Sequence, residues 1–170
     1  MAQTLVIADD LTGANDTAVA FAQGHARCLT VFGREELSAL PTAEVVALDT
    51  ETRNLPTTVA TRQVTEIVKP FLPVPPSVLL FKKIDSTLRG NVGAEVDVIL
   101  ARSGLPLAVV APAFPDNSRV VIGGCVLVNG RPLERTHIGQ DVFAPVRSFC
   151  VCQYKNDPLW QSKSDPLMIK

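Results

Sequence analysis

The sequence predicts an α/β fold, in which helices flank a parallel sheet and a small β excursion follows near the C-terminal part. Short apolar runs rich in β-branched residues alternate with longer helix-permissive segments, as in chains whose helices cover a parallel sheet. Hydrophobic residues make up 46% of the 170 residues, which is enough to bury the core of one ordinary domain. Beyond residue 111, prolines and glycine-containing turns replace this alternation.

The first predicted unit is a strand, a helix and a second strand. Residues 4–8 are a continuous apolar run and predict a buried strand, and residues 27–32 predict another. Between them the apolar positions, Ala14 and Phe21 among them, predict a helix from about residue 13 to residue 23.

The strand, loop and helix order then repeats. Residues 45–48 and 77–81 predict strands, each followed by a polar loop and a helix, at about residues 57–68 and 91–101. Residues 107–111 predict one more strand.

The β excursion is predicted from its turns. Residues 126–128 are apolar and are followed by Asn129 and Gly130, a pair typical of a β-hairpin turn. Gly123 and Gly124 predict a tight turn rather than a phosphate-binding loop, because they lack the strand-to-helix setting of such a loop.

Composition excludes several classes of partner. Lys and Arg total 16 against 17 acidic residues, and a net charge of -1 gives no field that attracts nucleic acid or an anionic membrane. The chain starts without the pattern of a signal peptide and has no apolar run long enough to span a bilayer, so a cytoplasmic location is predicted. The four cysteines lack CxxC spacing and only two histidines accompany them, so no metal site is predicted.

Charged residues concentrate in the loops that follow the predicted strands. Ligands of open parallel sheets bind beyond the carboxyl ends of the strands, so these loops predict the binding site. The residues concerned are Asp9, Asp10, Asp49, Glu51, Arg53, Lys82, Lys83, Asp85, Ser86, Arg89, Asp116, Asn117 and Arg119. Taken alone, Arg53 and Arg119 are typical of surface cations, and they matter only as part of this cluster.

Two carboxylates, Asp9 and Asp10, directly follow the first strand and precede a helix. Such carboxylates can accept hydrogen bonds from the hydroxyls of a polyol, and the N-terminal amides of the helix favour an anion. An equally compatible interpretation is that Asp10 or Thr12 caps the helix.

The loop at residues 83–91 is denser in polar groups. Arg89 is suited to clamp a carboxylate with two hydrogen bonds, while Asp85 and Ser86 are suited to bond hydroxyls. The alternative is a salt-bridged helix cap with a solvated face. Lys82 is predicted to lie on the surface. No GxxxxGK[ST] loop or GxGxxG fingerprint occurs, so the chain shows no nucleotide-binding motif.

Four segments carry specific strings, namely IADDLTGANDTAVAFA at 7–22, LDTETRNL at 48–55, KKIDSTLRGNVGAE at 82–95 and APAFPDNSRVVIGG at 111–124. Together they resemble the N-terminal domain of the four-carbon acid sugar kinases, and the resemblance runs from residue 1 to residue 147. It implies a two-domain kinase for acids such as threonate, erythronate or their 3-oxo relatives. The sugar acid would lie mainly on this domain, and ATP and Mg²⁺ on a C-terminal domain.

The resemblance also implies roles for individual residues. Asp10 and Asp85 are the candidates for the carboxylate that orients the attacking terminal hydroxyl, and the sequence does not decide between them. The implied substrate-binding residues are Asp9, Asp10, Arg53, Lys83, Asp85, Ser86 and Arg89. The expected partners are the sugar acid and either a separate ATP-binding domain or another copy of the chain.

Residues 148–170 depart from the family pattern. They show no helical or strand periodicity, so we expect a kinase-like domain at 1–147 followed by a divergent, loosely packed tail of the kind a truncation or frameshift produces. Such a chain would lack activity by itself. The alternatives are a stand-alone sugar-acid-binding or regulatory module, and a nonfunctional remnant of a kinase.

Overall fold

The structure is a computed structural model that describes residues 3–32 and 43–140. Cys150, Cys152 and the predicted tail at 148–170 lie outside the described residues. The elements are β1 Thr4–Ala8, α1 Leu11–Gln23, β2 Cys28–Phe32, β3 Val45–Asp49, α2 Thr57–Val68, β4 Leu79–Lys83, α3 Val92–Ser103, β5 Arg119–Ile122, β6 Cys125–Val128 and β7 Arg131–Pro132. Within the described ranges, no helix is long and apolar enough to cross a membrane.

The main sheet has four parallel strands in the order β2-β3-β1-β4. Ala8, the last residue of β1, aligns with Asp49 of β3 on one side and with Lys83 of β4 on the other. The carboxyl ends of these three strands therefore lie side by side, and the predicted α/β class is confirmed.

The two faces of the sheet are covered by different helices. Leu5 and Ile7 of β1 face α2 and α3, where they pack with side chains such as Val64 and Ile99. Val6 and Ala8 alternate to the other face and pack against α1. β1 and β3 are buried on both faces and therefore form the centre of the core. Burial of each larger apolar side chain there contributes about 1.5–3 kcal/mol to the stability of the fold.

The small β excursion is confirmed as an antiparallel sheet in the order β5-β6-β7. Gly123 and Gly124 join β5 to β6 with φ angles of 57° and 81°, and Asn129 and Gly130 join β6 to β7 with φ angles of 51° and 72°. Positive φ at both central residues is the geometry of two-residue hairpin turns. Both predicted turns are therefore confirmed.

Leu88 connects this small sheet to the main one. The Leu88 side chain is buried in an apolar cluster with Val126, Val128 and Leu133. The hairpin thereby supports the loop that follows β4.

Three predicted elements differ from the structure. α1 begins two residues earlier than predicted, because Asp10 caps it. β4 spans 79–83 rather than 77–81, because a turn in which the Val78 amide donates to the Pro75 carbonyl precedes it. Residues 107–111 run without a strand partner in the part of the chain that the structure describes, so the strand predicted there is wrong.

Candidate functional site

Six of the seven predicted substrate residues lie in the three loops that follow β1, β3 and β4, and the seventh, Lys83, is the last residue of β4. Asp9 and Asp10 follow the central strand β1, and its neighbours β3 and β4 carry the other loops. The backbone joins the first two loops directly, because the amides of Thr52 and Arg53 both donate to the Asp9 carbonyl, at 2.9 and 3.1 Å. The fold therefore brings the predicted residues to one edge of the sheet.

Arg53 lies between the two carboxylates of the first loop. Its Nε and Nη2 donate to the two Asp9 oxygens, each at 2.9 Å, and Nη2 also donates to Asp10 Oδ1 at 2.9 Å. A further ion pair joins Nη1 to Asp10 Oδ2. Burial alone would lower the pKa of Arg53, but the hydrogen bond and charge of Asp9, with the charges of Asp10 and Asp85, raise it. Arg53 thus neutralises a carboxylate pair within the protein.

Asp10 has a second role as the cap of α1. Its Oδ1 accepts a hydrogen bond from the Gly13 amide at 2.8 Å, so the capping interpretation of this loop is confirmed. The Asp10 side chain remains 27% exposed, whereas that of Asp9 is only 2% exposed. Of the two carboxylates, Asp10 is the one that a ligand can reach.

Asp85 and Arg89 form a second charged cluster, the first being Arg53 with Asp9 and Asp10. Arg89 Nε lies 2.9 Å from Asp85 Oδ2, and Arg89 Nη2 lies 3.1 Å from Oδ1. Thr87 also donates its hydroxyl to Asp85. Burial opposes ionisation of Asp85, but the hydrogen bonds from Arg89 and Thr87, with the charges of Arg89 and Arg53, hold its pKa well below the usual range.

Gly90 allows the two clusters to approach each other. Its φ of 90° favours glycine, and a Cβ there would lie 3.1 Å from Asp9 Oδ2 and 3.4 Å from Arg53 Cα. Asn91 then connects the loops, because its Nδ2 donates to the carbonyls of Thr52 and Leu55 at 3.1 and 2.9 Å. The sequence contains no motif that marks Asn91 for this role.

Lys83 and Ser86 lie with Asp85 along a groove of about 1060 Å³. Lys83 Nζ donates to the Ile84 carbonyl at 2.9 Å, and its aliphatic stem lies against Gly13. Asn117 and Arg119 also line this groove. The cations Lys83 and Arg119, the carboxylate of Asp85, the hydroxyl of Ser86 and the amide of Asn117 thus border one space.

Lys82 is not on the surface, so that prediction is wrong. Its Nζ lies 2.8 Å from Glu95 Oε2, and Glu95 Oε1 accepts a hydrogen bond from the Thr52 hydroxyl at 2.6 Å. The Thr52 hydroxyl is also hydrogen-bonded to the Thr50 hydroxyl, and the Thr50 hydroxyl donates to the Ala8 carbonyl. This buried polar chain ties β4, α3 and the loop after β3 beneath the site, and nothing in the sequence distinguished Glu95 from a surface acid.

Asp49, at the end of β3, is buried beside the carboxylate pair. Its Oδ1 accepts a hydrogen bond from the Glu51 amide at 2.9 Å, and its Oδ2 has no hydrogen-bond partner among the described residues. Burial raises the pKa of Asp49, and the nearby charges of Glu51, Asp10 and Asp9 add to this effect, whereas the Glu51 amide opposes it.

Residues 3–32 and 43–140 contain no group of three or more His, Cys, Asp or Glu side chains placed to hold a metal ion.

A loop cluster of this kind, at the carboxyl edge of a parallel sheet, is typical of small-molecule binding domains. The family model of the sugar-binding N-terminal domain matches residues 4–154, and the chain belongs to that family. The predicted resemblance is thereby confirmed.

Individual relatives agree with this assignment. The D-threonate kinase of Salmonella typhimurium is 40% identical over 144 residues, covering 85% of this chain and 34% of that protein. The D-erythronate kinase of Heliobacterium modesticaldum is 38% identical over 154 residues, covering 89% of this chain and 35% of that protein. This chain therefore spans about one third of the length of these relatives.

A solved structure shares the fold. A domain of unknown function from Bordetella bronchiseptica, determined with bound citrate as a domain-swapped dimer, superposes with a TM-score of 0.80 at 35% identity. The match covers 89% of this chain and 39% of that one.

Proposed function

We propose that this chain binds a four-carbon sugar acid of the threonate, erythronate or 3-oxo-tetronate type, as the substrate domain of an ATP-dependent kinase. The observation that carries the proposal is that Asp10, Lys83, Asp85, Ser86 and Arg89 lie at or after the carboxyl ends of the neighbouring strands β1 and β4 in a member of the sugar-binding family. Three of them, Lys83, Asp85 and Ser86, also line the groove. Citrate, which is bound in the structure of the Bordetella relative, is likewise a hydroxy acid, although it has more carboxylates and fewer hydroxyls than a four-carbon sugar acid.

Arg89 is the proposed clamp for the carboxylate of the acid. Its side chain is 32% exposed, against 16% for Arg53, and Arg53 is committed to two protein carboxylates. A guanidinium group offers an incoming carboxylate planar hydrogen-bonding geometry that a lysine cannot reproduce. Arg53 then serves to hold Asp9 and Asp10 in place.

Asp10 is the proposed carboxylate that orients the terminal hydroxyl for attack on the γ-phosphoryl group of ATP. Asp85 is 13% exposed and is held by Arg89 and Thr87, whereas Asp10 is the more exposed carboxylate. Phosphoryl transfer depends mostly on alignment and charge stabilisation, so a correctly placed acceptor suffices. ATP and Mg²⁺ would be bound by the rest of the kinase, and this chain alone should release no ADP above background.

Calorimetry with D-threonate and D-erythronate tests the proposal. We expect Arg89→Ala to weaken binding tenfold or more, equivalent to about 1.4 kcal/mol, and Arg89→Lys to restore it only in part. Arg102→Ala is the matched control, because Arg102 is exposed in the last turn of α3, at the opposite end of the helix. Equal affinities in the folded wild-type and Arg89→Ala proteins would contradict the assignment of the clamp. Absence of binding by the folded wild-type chain would contradict the proposed function.

A further inference from the structure

The groove beside β4 extends well beyond the polar residues of the site. β4 is the last strand on its side of the described sheet, and its Leu79 and Phe81 side chains are 54% and 40% exposed. Across the groove, the segment at 105–114 presents Leu107 and Val109, which are 50% and 59% exposed. Apolar side chains therefore line both sides of an open space next to an unpaired strand edge, a combination that marks an interaction site.

The space lies in the plane of the main sheet. One wall comes from α1, including Val19 and Phe21, and another from α3, including Val96 and Leu100. These helices cover opposite faces of the sheet, so both helical layers extend past β4. The groove thus has the surroundings of a strand position in a parallel sheet covered on both faces.

The size of the groove suits one strand. A five-residue strand with its side chains fills about 17 Å by 4.8 Å by 10 Å, or about 800 Å³. The groove volume of about 1060 Å³ is comparable. A second copy pairing through its own β4 would bring its helical layers with it, whereas the volume of the groove matches a single strand.

We propose that this groove, lined by β4, α1, α3 and residues 105–114, receives an apolar β-strand from the part of the kinase that lies, in the relatives, outside the segment they share with this chain. The relatives are about three times as long as the segment they share with this chain. The remaining two thirds contain the polypeptide from which such a strand would come. Lys83, Asp85 and Ser86, at and after the carboxyl end of β4, line the groove, so the inserted strand would place its adjoining loop beside the sugar-acid site. The interaction goes beyond the proposed sugar-acid binding and does not depend on it.

Co-expression tests the proposal. This whole chain is produced with the portion of the Salmonella D-threonate kinase that follows the shared third, and the complex is measured by size-exclusion chromatography with light scattering, without sugar acid. We expect a one-to-one complex, and we expect Phe81→Asp and Val109→Asp each to weaken it tenfold or more. Ile122→Asp is the control, because Ile122 is 65% exposed on β5 and does not line the groove.

A second measurement does not require the two pieces to fold separately. In a single polypeptide that joins residues 1–140 to the same Salmonella segment, amide exchange at 79–83 and 107–111 should slow tenfold or more relative to this chain alone. Unchanged exchange there would overturn the proposal, as would a complex equally insensitive to all three substitutions. A dimer of this chain that Phe81→Asp dissociates would also overturn the proposal, because the groove would then bind a second copy. So would slow amide exchange at 79–83 in this chain alone that deletion of residues 141–170 makes fast. Because sugar-acid binding is measured separately, failure of one proposal leaves the other standing.

Discussion

The two arginines of the site have similar partners but different surroundings. Arg53 contacts two carboxylates, one of them 2% exposed, and its own side chain is 16% exposed. Arg89 pairs with the Asp85 carboxylate, and its side chain is 32% exposed, twice the value for Arg53. Each guanidinium makes a bidentate pair, so hydrogen-bond geometry alone does not separate their roles.

Burial is what separates the two clusters. Removing one partner of a buried ion pair leaves an uncompensated charge and costs several kcal/mol, whereas a partly exposed pair is screened by water and contributes about 1 kcal/mol or less. Arg53 is therefore expected to maintain the fold of the edge, and Arg89 to recognise the ligand. Four measurements test this division.

The largest effect is expected for Arg53→Ala. The Asp9 side chain would remain buried without its ion-pair partner, so we expect the free energy of unfolding to fall by about 3–5 kcal/mol. Urea denaturation followed by circular dichroism measures this change. A loss below 1 kcal/mol would show that the Asp9–Arg53 pair is no more important to stability than a surface pair.

Gly90→Ala tests the contact between the clusters. The new Cβ would meet Asp9 Oδ2 at 3.1 Å in a backbone conformation that disfavours L-residues, so we expect a loss of about 2 kcal/mol. Gly123→Ala is the matched control, because Gly123 also has a positive φ but a Cβ added there would meet no described atom within 4 Å. Equal losses in the two variants would attribute the whole effect to the backbone conformation and none to the close approach.

Arg89→Ala should cost much less stability than Arg53→Ala. The pair with Asp85 is partly exposed, so the expected loss is about 1 kcal/mol or less, alongside the tenfold loss of sugar-acid affinity. Measuring unfolding and binding on the same preparation separates the two effects. A loss as large as that of Arg53→Ala would assign Arg89 to the structural framework.

The smallest effect concerns acid stability. The pKa of Asp85 is lowered in the folded state, so its contribution is complete above the unfolded value of about 3.8 and is lost as the pH falls through the lower folded value. Asp85→Asn should therefore make the decline in stability below about pH 4 shallower, by less than about 1.4 kcal/mol per pH unit.

Asp49 provides the opposite control for this experiment. Its pKa is raised by burial, so its contribution weakens as the pH rises above about 3.8, and Asp49→Asn should steepen the acid decline. Thermal melts between pH 3 and pH 6 compare the three proteins. Identical slopes for wild-type and Asp85→Asn would contradict the assignment of a lowered pKa to Asp85.

Several features could be predicted because they depend on local sequence. The apolar run of β1, the helical periodicity of α2 and the turn residues Asn129 and Gly130 each determine their element through neighbouring residues. The residues of the site could be placed at one edge because the carboxyl ends of parallel strands meet there. The roles given to those residues stay predictions until they are measured.

Other features depend on residues far apart in the chain. Lys82 has the sequence character of a surface cation, but the tertiary fold places it 2.8 Å from Glu95, and only the pairing makes its burial tolerable. Residues 107–111 have the apolar pattern of a strand, but a segment becomes a strand only when a neighbouring strand completes its hydrogen bonds. In the described part of the chain these residues pair with no strand, and the sheet ends at β4 on that side.

The sequence by itself determined the α/β class, the order of the elements from β1 to α3, the hairpin turns and the loops that carry the charged residues. Only the tertiary structure decided which carboxylate each arginine contacts, how deeply each pair is buried and which edge of the sheet stays open. The physical reason is that apolar periodicity and turn preferences act over a few residues, whereas ion pairing, desolvation and strand pairing depend on groups that only the folded chain brings together.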